Sequence, residues 1–338
     1  MAQKPTFILA IDLGTVASGA AWALQGQDCR INLITSFAGR EQYCLPKAPS
    51  TISEDGPFNH RWGYLVEPSE RSFRAFKALL DPANPTTFPP AIETGDRMAR
   101  IVVLAEPEAT AIYVLSCLNS HGLRTGDVLT VCDAGGATVD VVSYQVTGLQ
   151  PRKLAQVTRS ESTGAGSGFL DGLFQARFRE MFSPGSTWSD EQRRITMIYW
   201  EERLKHRYTG DFARDFDNDQ YYRLGGDGAC LGLKVENGSV PFLLTKEDLD
   251  DIFGRQTWWV ELLVARQWDS LAAAGRSMSA LVLVGGLGCS GFLHHRLRQK
   301  FPYLRIIHPP NPLSTVVCGA LYRGLEAASE PSLPATRN

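Results

Sequence analysis

Two aspartates in this sequence close hydrophobic runs, and each is followed by small residues. Asp12 ends "ILAID" and precedes Gly14, Thr15, Ser18 and Gly19. Asp133 ends "VLTVCD" and precedes Gly135, Gly136 and Thr138. Glycine turns let backbone N–H groups come close to an anion, and hydroxyls such as Thr15, Ser18 and Thr138 add donors. A carboxylate beside a phosphate repels it unless a cation stands between them. Hard oxygen ligands suit Mg²⁺ held largely through water. The pattern therefore points to a polyphosphate gripped by two turns, with Asp12 and Asp133 serving a hydrated metal. Ordinary hairpins produce the same letters, because Asp and Gly are common turn residues. The theme recurs about 120 residues apart, a weak internal repeat that suggests two related lobes.

Strands and helices must position these turns. Residues 7–13 and 18–24 read as a hairpin, with a third strand at 31–35. Residues 46–60 read as loop. "SERSFRAFKALLDP" reads as a short helix stopped near Asp81-Pro82, and "PANPTTFPPAIETG" as a connector. "RIVVLAEP" reads as a strand ending at Glu106-Pro107. The helix after it carries Ala111, Val114, Leu115 and Leu118 on one face. "DVLTVCDAGGATVDVVSYQV" repeats the opening hairpin. "FLDGLFQARFREMF" reads as a helix with 169/170, 173/174 and 181/182 on its apolar face. "MIYWEERLKHRY" is a further helix, and residues 209–230 an exposed loop. Thr245 and Asp248 form a capping box that opens a long helix through Trp268. "ALVLVGG" is a strand, "SGFLHHRLRQKF" a helix and "LRIIHP" a strand. The end, "EAASEPSLPATRN", residues 326–338, reads as disordered, with 329–338 as a tail.

The chain has 338 residues, which fits one large bilobed unit or two domains. A formal net charge of −2 gives no electrostatic case for nucleic acid or an anionic membrane as partner. Seven cysteines occur without a CxxC spacing, mostly in apolar runs. That usage suggests reduced thiols and a cytoplasmic or nuclear address. The histidines lack metal-ligand spacing. No apolar run approaches the roughly 20 residues that span a bilayer, and the N-terminal run, broken by Asp12, is a poor signal peptide.

Four segments in order carry a family resemblance: "IDLGTVASG", "AEPEATAIYVL", "CDAGGATVDVVSY" and "LVGGLGCSGFL". They resemble the phosphate-1, connecting-helix, phosphate-2 and adenosine motifs of the actin-like ATPase superfamily. Within it they are similar to heat shock protein 70 chaperones, and most to the divergent, fungal branch of the heat shock protein family A member twelve type. The likeness runs from about residue 7 to 325. It implies an α/β fold of two lobes, each an RNase-H-like sheet flanked by helices, with ATP or ADP and Mg²⁺ between them. The first lobe would comprise 1–126 plus 306–328 and the second 127–305, with no peptide-binding domain. By motif position, Asp12 and Asp133 would organise Mg²⁺ through water. Gly14 and Thr15 would lie at the phosphates, and Gly135, Gly136 and Thr138 would hold the outer ones. Glu106 would place the attacking water, and Lys77 would be the cleft lysine. Glu202 and Lys205 would meet the adenosine, with Gly285, Gly286 and Ser290 closing over it. The implied reaction is in-line attack of water on the γ-phosphate. A client or regulatory protein would read the resulting change. Plainer readings stand beside these: Lys77 as a solvated helix lysine, and Glu202 with Lys205 as a surface pair at helical spacing.

The sequence departs from the family in several places. Val16 and Ala17 replace a hydroxyl and usually an aromatic, Ala137 replaces the third glycine of phosphate-2, and Ser314 stands where an acidic residue is usual. Only 28 residues separate Lys77 from Glu106, several-fold fewer than in the family. The first lobe should then lack most of a peripheral subdomain and a strand of its central sheet. Losing that strand leaves backbone groups to be paired another way. These departures favour a second reading, a nucleotide-binding or protein-interaction module without turnover. A third is a Rossmann dinucleotide site at "GLGCSG", residues 286–291. That fingerprint wants an acidic residue about 20 positions on, at the end of the next strand, and "LRIIHPPN" offers none.

Overall fold

Alternation in the first strand decides which face of the opening hairpin is covered. In the computed structural model, β1 (Phe7–Asp12) pairs antiparallel with β2 (Ala17–Leu24), from Phe7 opposite Leu24 to Asp12 opposite Gly19. Residues described are 6–14, 17–26, 30–37, 47–49, 51–53, 72–74, 91–94, 97–100, 102–117, 122–180, 190–215, 222–223, 232–235, 238–241 and 243–329. β3 (Asn32–Leu33) and β4 (Ala48–Pro49) both add to β2. Two small hairpins follow, β5 (Thr51–Ser53) with β6 (Ser72–Arg74) and β7 (Ala91–Thr94) with β8 (Arg97–Arg100). Then come α1 (Glu106–Ser116), β9 (Val128–Ala134), β10 (Val139–Leu149), β11 (Arg152–Gln156) and β12 (Glu161–Thr163). α2 (Ser167–Glu180) and α3 (Asp190–Tyr199) lead into a π-helical turn over Trp200–Leu204. α4 (Phe212–Asp215) precedes β13 (Tyr222–Arg223), β14 (Gly232–Val235), β15 (Gly238–Pro241) and β16 (Leu243–Leu244). The chain closes with α5 (Lys246–Ala273), β17 (Ala280–Val284), α6 (Gly291–Lys300), β18 (Ile306–Ile307) and α7 (Thr315–Ser329). A mixed sheet in the order β11-β10-β9-β17-β18, with β12 on β10, makes this an α/β chain.

The residues fall into two units: 1–131, 144–157 and 309–338, and 132–143 with 158–308. In the first, Ala10, Ala21 and Ala23 face a core built with Tyr113, Val317 and Leu321. These small residues let α1 and α7 lie close to the hairpin and to each other. A Cβ on Gly319 would stand 1.8 Å from the Ala109 carbonyl oxygen, and one on Gly324 2.8 Å from Ile8. The Tyr113 hydroxyl donates to the Pro310 carbonyl at 3.0 Å, and Arg152 of β11 holds Glu326 of α7 at 2.7 Å. Among the described residues the other face of β1 is left uncovered. Phe7, Leu9 and Ile11 are more than half exposed, and Phe7 stacks on Trp22.

In the second unit an aromatic core does the packing. Phe174 stacks on Trp200 at 4.3 Å between ring centroids, and Phe253 and Tyr208 continue the cluster to Phe292. α5 lies on it and is fixed at a second point by a buried polar network. The Gln267 carbonyl oxygen accepts from Ser143 at 2.8 Å and from Thr158 at 2.5 Å, while its amide donates to the Arg159 carbonyl. The capping box of α5 is formed: Thr245 accepts from the Asp248 amide, and Asp248 accepts from the Thr245 amide.

Several expectations are corrected. Ser72–Arg74 is a strand paired with Thr51–Ser53, not the start of a helix, because cross-strand pairing overrides a weak local preference. The rest of that segment, Lys77 included, lies outside the described residues. Residues 46–60 carry β4 and β5, and the proline-rich connector runs into β7. Residues 102–105 form no strand, and Val103 is 74% exposed. The buried face of α2 is Leu170, Phe174 and Phe178, spaced i, i+4, i+8, while Phe169 is half exposed. The helix of "MIYWEERLKHRY" changes to π geometry at Trp200. Residues 209–230 include α4 and β13. The first four residues of the tail segment, 326–329, are helical, and 330–338 lie outside the described residues.

Gly319→Ala should destabilise the protein by about 1–3 kcal/mol through overpacking of α1 on α7. Gly254→Ala, where an added Cβ meets nothing within 4 Å, should instead stabilise α5 by about 0.5–1 kcal/mol. Urea denaturation of the two variants measures both signs.

Candidate functional site

β9 and β17 are apolar runs buried along almost their whole length, and both end in glycine turns. Gly285, directly after β17, has φ +84°, and a Cβ there would stand 2.4 Å from the Ala134 carbonyl oxygen and 2.7 Å from the Asp133 carboxylate. Only glycine satisfies both the dihedral and the contact. Asp133 thus lies over the Gly285 backbone, and its carboxylate also borders Gly135.

The turn between β9 and β10 is held from below. Gly135 N–H closes it on the Thr138 carbonyl at 2.9 Å. The carbonyls of Gly135, Gly136 and Ala137 accept from the amides of Ser167, Gly168 and Gly166 at 2.9, 2.8 and 3.1 Å. The approach is tight, since a Cβ on Gly166 would meet the Gly136 backbone at 2.4 Å. Three carbonyl oxygens, which would repel an anion, are therefore engaged. Among the described residues the N–H groups of Gly136 and Ala137 make no hydrogen bond. Gly286 completes the group: a Cβ on it would lie 3.5 Å from the Ser167 hydroxyl. Segments 133–138 and 164–168 so meet backbone to backbone, Gly286 lies beside Ser167, and Gly285 lies against the Asp133 carboxylate.

The remaining expected residues of this unit are placed as follows. The Thr138 side chain is exposed and its hydroxyl donates to Asp140 at 2.9 Å, so phosphate would have to compete with that bond. Ser290 is buried and caps α6, accepting from the Leu293 amide. The π-helical turn sets Lys205, a buried ammonium, 2.9 Å from Asp171 and 2.8 Å from Glu201. The Trp200 indole N–H donates to the same Asp171 oxygen at 2.7 Å. Burial works to raise the Glu201 carboxyl, but hydrogen bonding from His206 and the charge of Lys205 outweigh it and hold it at about 2. Lys205 is thus engaged with two carboxylates, and the Glu202 side chain lies outside the described residues. Cys132, beside Asp133, is pushed up by burial and by the Asp133 and Asp140 charges, so it stays a protonated thiol.

In the first unit, Asp12 is 4% exposed at the end of β1. Its partner is Lys47, with Nζ 2.5 Å from a carboxylate oxygen. Lys47 precedes β4, and the pairing of Ala48–Pro49 with Ala17–Ser18 carries it there. Gly14 is pressed on its own turn, where a Cβ would meet the Ala17 carbonyl oxygen at 2.2 Å. Thr15 lies outside the described residues, and Glu106 opens α1 with Pro107 behind it. Sequence reasoning missed Lys47, the segment Gly166–Gly168 and Asp171. "GAGSG" ahead of a helix was visible for the second of these, but nothing local tied it to the 133–138 turn, and nothing local marked the other two. No protein-family model matches the chain, and no curated protein does either.

Elsewhere in the second unit, the His294 ring of α6 meets His308 edge to face at 4.7 Å. Desolvation lowers both rings from the ordinary 6.5; Arg298 and the neighbouring histidines add to it. Groups with depressed values stabilise the fold above about 6.5 and lose that contribution as the pH falls through their folded-state values. Both rings are partly solvated, so the effect is small. Acidification from pH 7.5 to 5.5 should lower Tm by roughly 1–3 °C more in the wild type than in His308→Asn, read by scanning calorimetry.

Proposed function

We propose that the chain is an ATP-binding protein of the actin-like, heat shock protein 70-like type, with the second unit's glycine turns receiving the phosphates. One observation carries this reading. The carbonyls of Gly135, Gly136 and Ala137 are tied to the 166–168 segment while the Gly136 and Ala137 amides are unbonded among the described residues. A turn whose carbonyls are engaged and whose amides are left unbonded suits an anion. The absence of side chains at Gly285 and Gly286 leaves backbone for a ligand to lie on.

The donor set fits Mg²⁺ better than a metal held wholly by protein. Among the described residues no group of three or more His, Cys, Asp or Glu stands together. Mg²⁺ keeps several waters and needs only one or two carboxylates beside substrate phosphates. Asp133 would supply one. A bound Mg²⁺ would neutralise phosphate charge and so remove the repulsion between Asp133 and the nucleotide. Glu106 and Thr138 keep their expected roles at the water and the outer phosphates as part of this proposal, as do Lys205 and Ser290 at the adenosine.

A second reading, nucleotide binding without turnover, is favoured by two observations. Asp12 is already neutralised by Lys47, and Ala137 puts a methyl on the phosphate-facing turn.

Titration calorimetry with ATP, on a monodisperse sample, should show binding that depends on Mg²⁺. Asp133→Asn should weaken it about tenfold or more, a loss of at least 1.4 kcal/mol. A folded sample that binds no ATP overturns the proposal. Phosphate release separates the two readings: Ala137→Gly should raise turnover if hydrolysis is merely weakened, and leave it absent if the chain only binds.

A further inference from the structure

α5 is buried along one side and carries an unusual pattern on the other. Its other side presents the exposed Asp251, Arg255, Trp258, Trp259 and Arg266, with the half-buried Leu262 among them and Asp269 below. At about 3.6 residues per turn these positions fall within roughly 100° of the helix circumference. Trp258 and Trp259 are 50% and 41% exposed and touch each other edge to face, with centroids 4.8 Å apart. Tryptophan at the centre of a stripe with charges at its ends is the composition of an interface core and rim. Arg255 is bonded to Asp251 of its own helix at 2.9 Å.

The stripe is complementary to itself. If a second α5 is laid antiparallel, with the two-fold axis midway between residues 258 and 259, Trp258 stands opposite Trp259 of the other copy. The same register sets Asp251 opposite Arg266 and Arg255 opposite Leu262. Each Asp251 would then bridge its own Arg255 and the other copy's Arg266; Asp269 falls opposite Asp248, whose charge Arg177 already meets at 2.6 Å. Four tryptophans would meet at the axis. A partner with an unrelated surface would not need this symmetry of charge about the aromatic pair.

We propose that α5 of one copy packs antiparallel on α5 of a second copy, about a two-fold axis between Trp258 and Trp259. The interface is isologous, as two-fold dimers require. It involves none of the residues assigned to the nucleotide.

Sedimentation velocity of the intact chain from about 1 to about 100 µM, the range where a modest interface assembles, tests it. The wild type should shift from monomer to dimer. Trp258→Ser with Trp259→Ser should stay monomeric, with unchanged circular dichroism because both rings lie on the surface. Arg266→Asp should weaken association about tenfold or more, and adding Asp251→Arg should restore it by exchanging the charges. A wild type that is monomeric throughout overturns the proposal and leaves the stripe to some other partner. A dimer that survives loss of both tryptophans, or a charge exchange that restores nothing, overturns it as well.

Discussion

The approach of the Gly285 backbone to the Ala134 carbonyl is the constraint on which the second unit's site depends. At 2.4 Å from any Cβ, that carbonyl forbids a side chain. It also fixes where β17 can end relative to β9, and so brings the Asp133 carboxylate over bare backbone. A second close contact, Gly166 on Gly136, then seats the start of α2 beneath the turn. Neither contact contributes much energy by itself. Together they require glycine at both positions, and hydrogen bonding to 166–168 engages the carbonyls of the turn.

The first unit solves a different problem with different means. Its core is thin: Ala10, Ala21 and Ala23 on the hairpin let α1 and α7 lie within backbone contact, as Gly319 on Ala109 shows. Burial of Asp12 in this setting demands a cation or a set of donors, since an uncompensated buried carboxylate costs several kcal/mol. Lys47 meets that demand at 2.5 Å. The outward ladder of Phe7, Leu9 and Ile11 is the residue of a strand whose alternation suits burial on both faces but which, among the described residues, is covered on one.

What the sequence disclosed, and what it hid, divides along the range of the interaction. The Asp12 and Asp133 hairpins, β17 and α5 rest on local signals: apolar runs, glycine turns and a capping box. Each of these forms where the letters place it. β4 and β6 rest on partners about 30 and 20 residues away in sequence, and composition alone reads them as loop and helix. The placement of Lys47 inherits that difficulty, because only the pairing of β4 with β2 puts it beside Asp12. α2 shows a subtler failure. Pairs of adjacent apolar residues suggested one face, but neighbouring residues diverge by about 100° on a helix, and packing against Trp200 selected Leu170, Phe174 and Phe178. The glycines of 164–168 were visible but unreadable in isolation, since their role is to accept a turn that lies some 30 residues earlier.

The repeated motif illustrates why similar letters need not give equivalent chemistry. Asp12 and Asp133 both end a strand ahead of a small-residue turn, and the resemblance assigns them matching roles. Their observed surroundings differ. Asp12 is held by an ammonium that is itself only 22% exposed, so a second cation there must either displace Lys47 or share the carboxylate with it. Asp133 is flanked by a thiol that burial keeps neutral and by glycine backbone. Coulomb repulsion between an ammonium and a divalent ion a few ångströms apart is steep at low effective dielectric. Lys47 at Asp12 is thus a cation of the protein's own, positioned where the resemblance alone would place a solvent-held one.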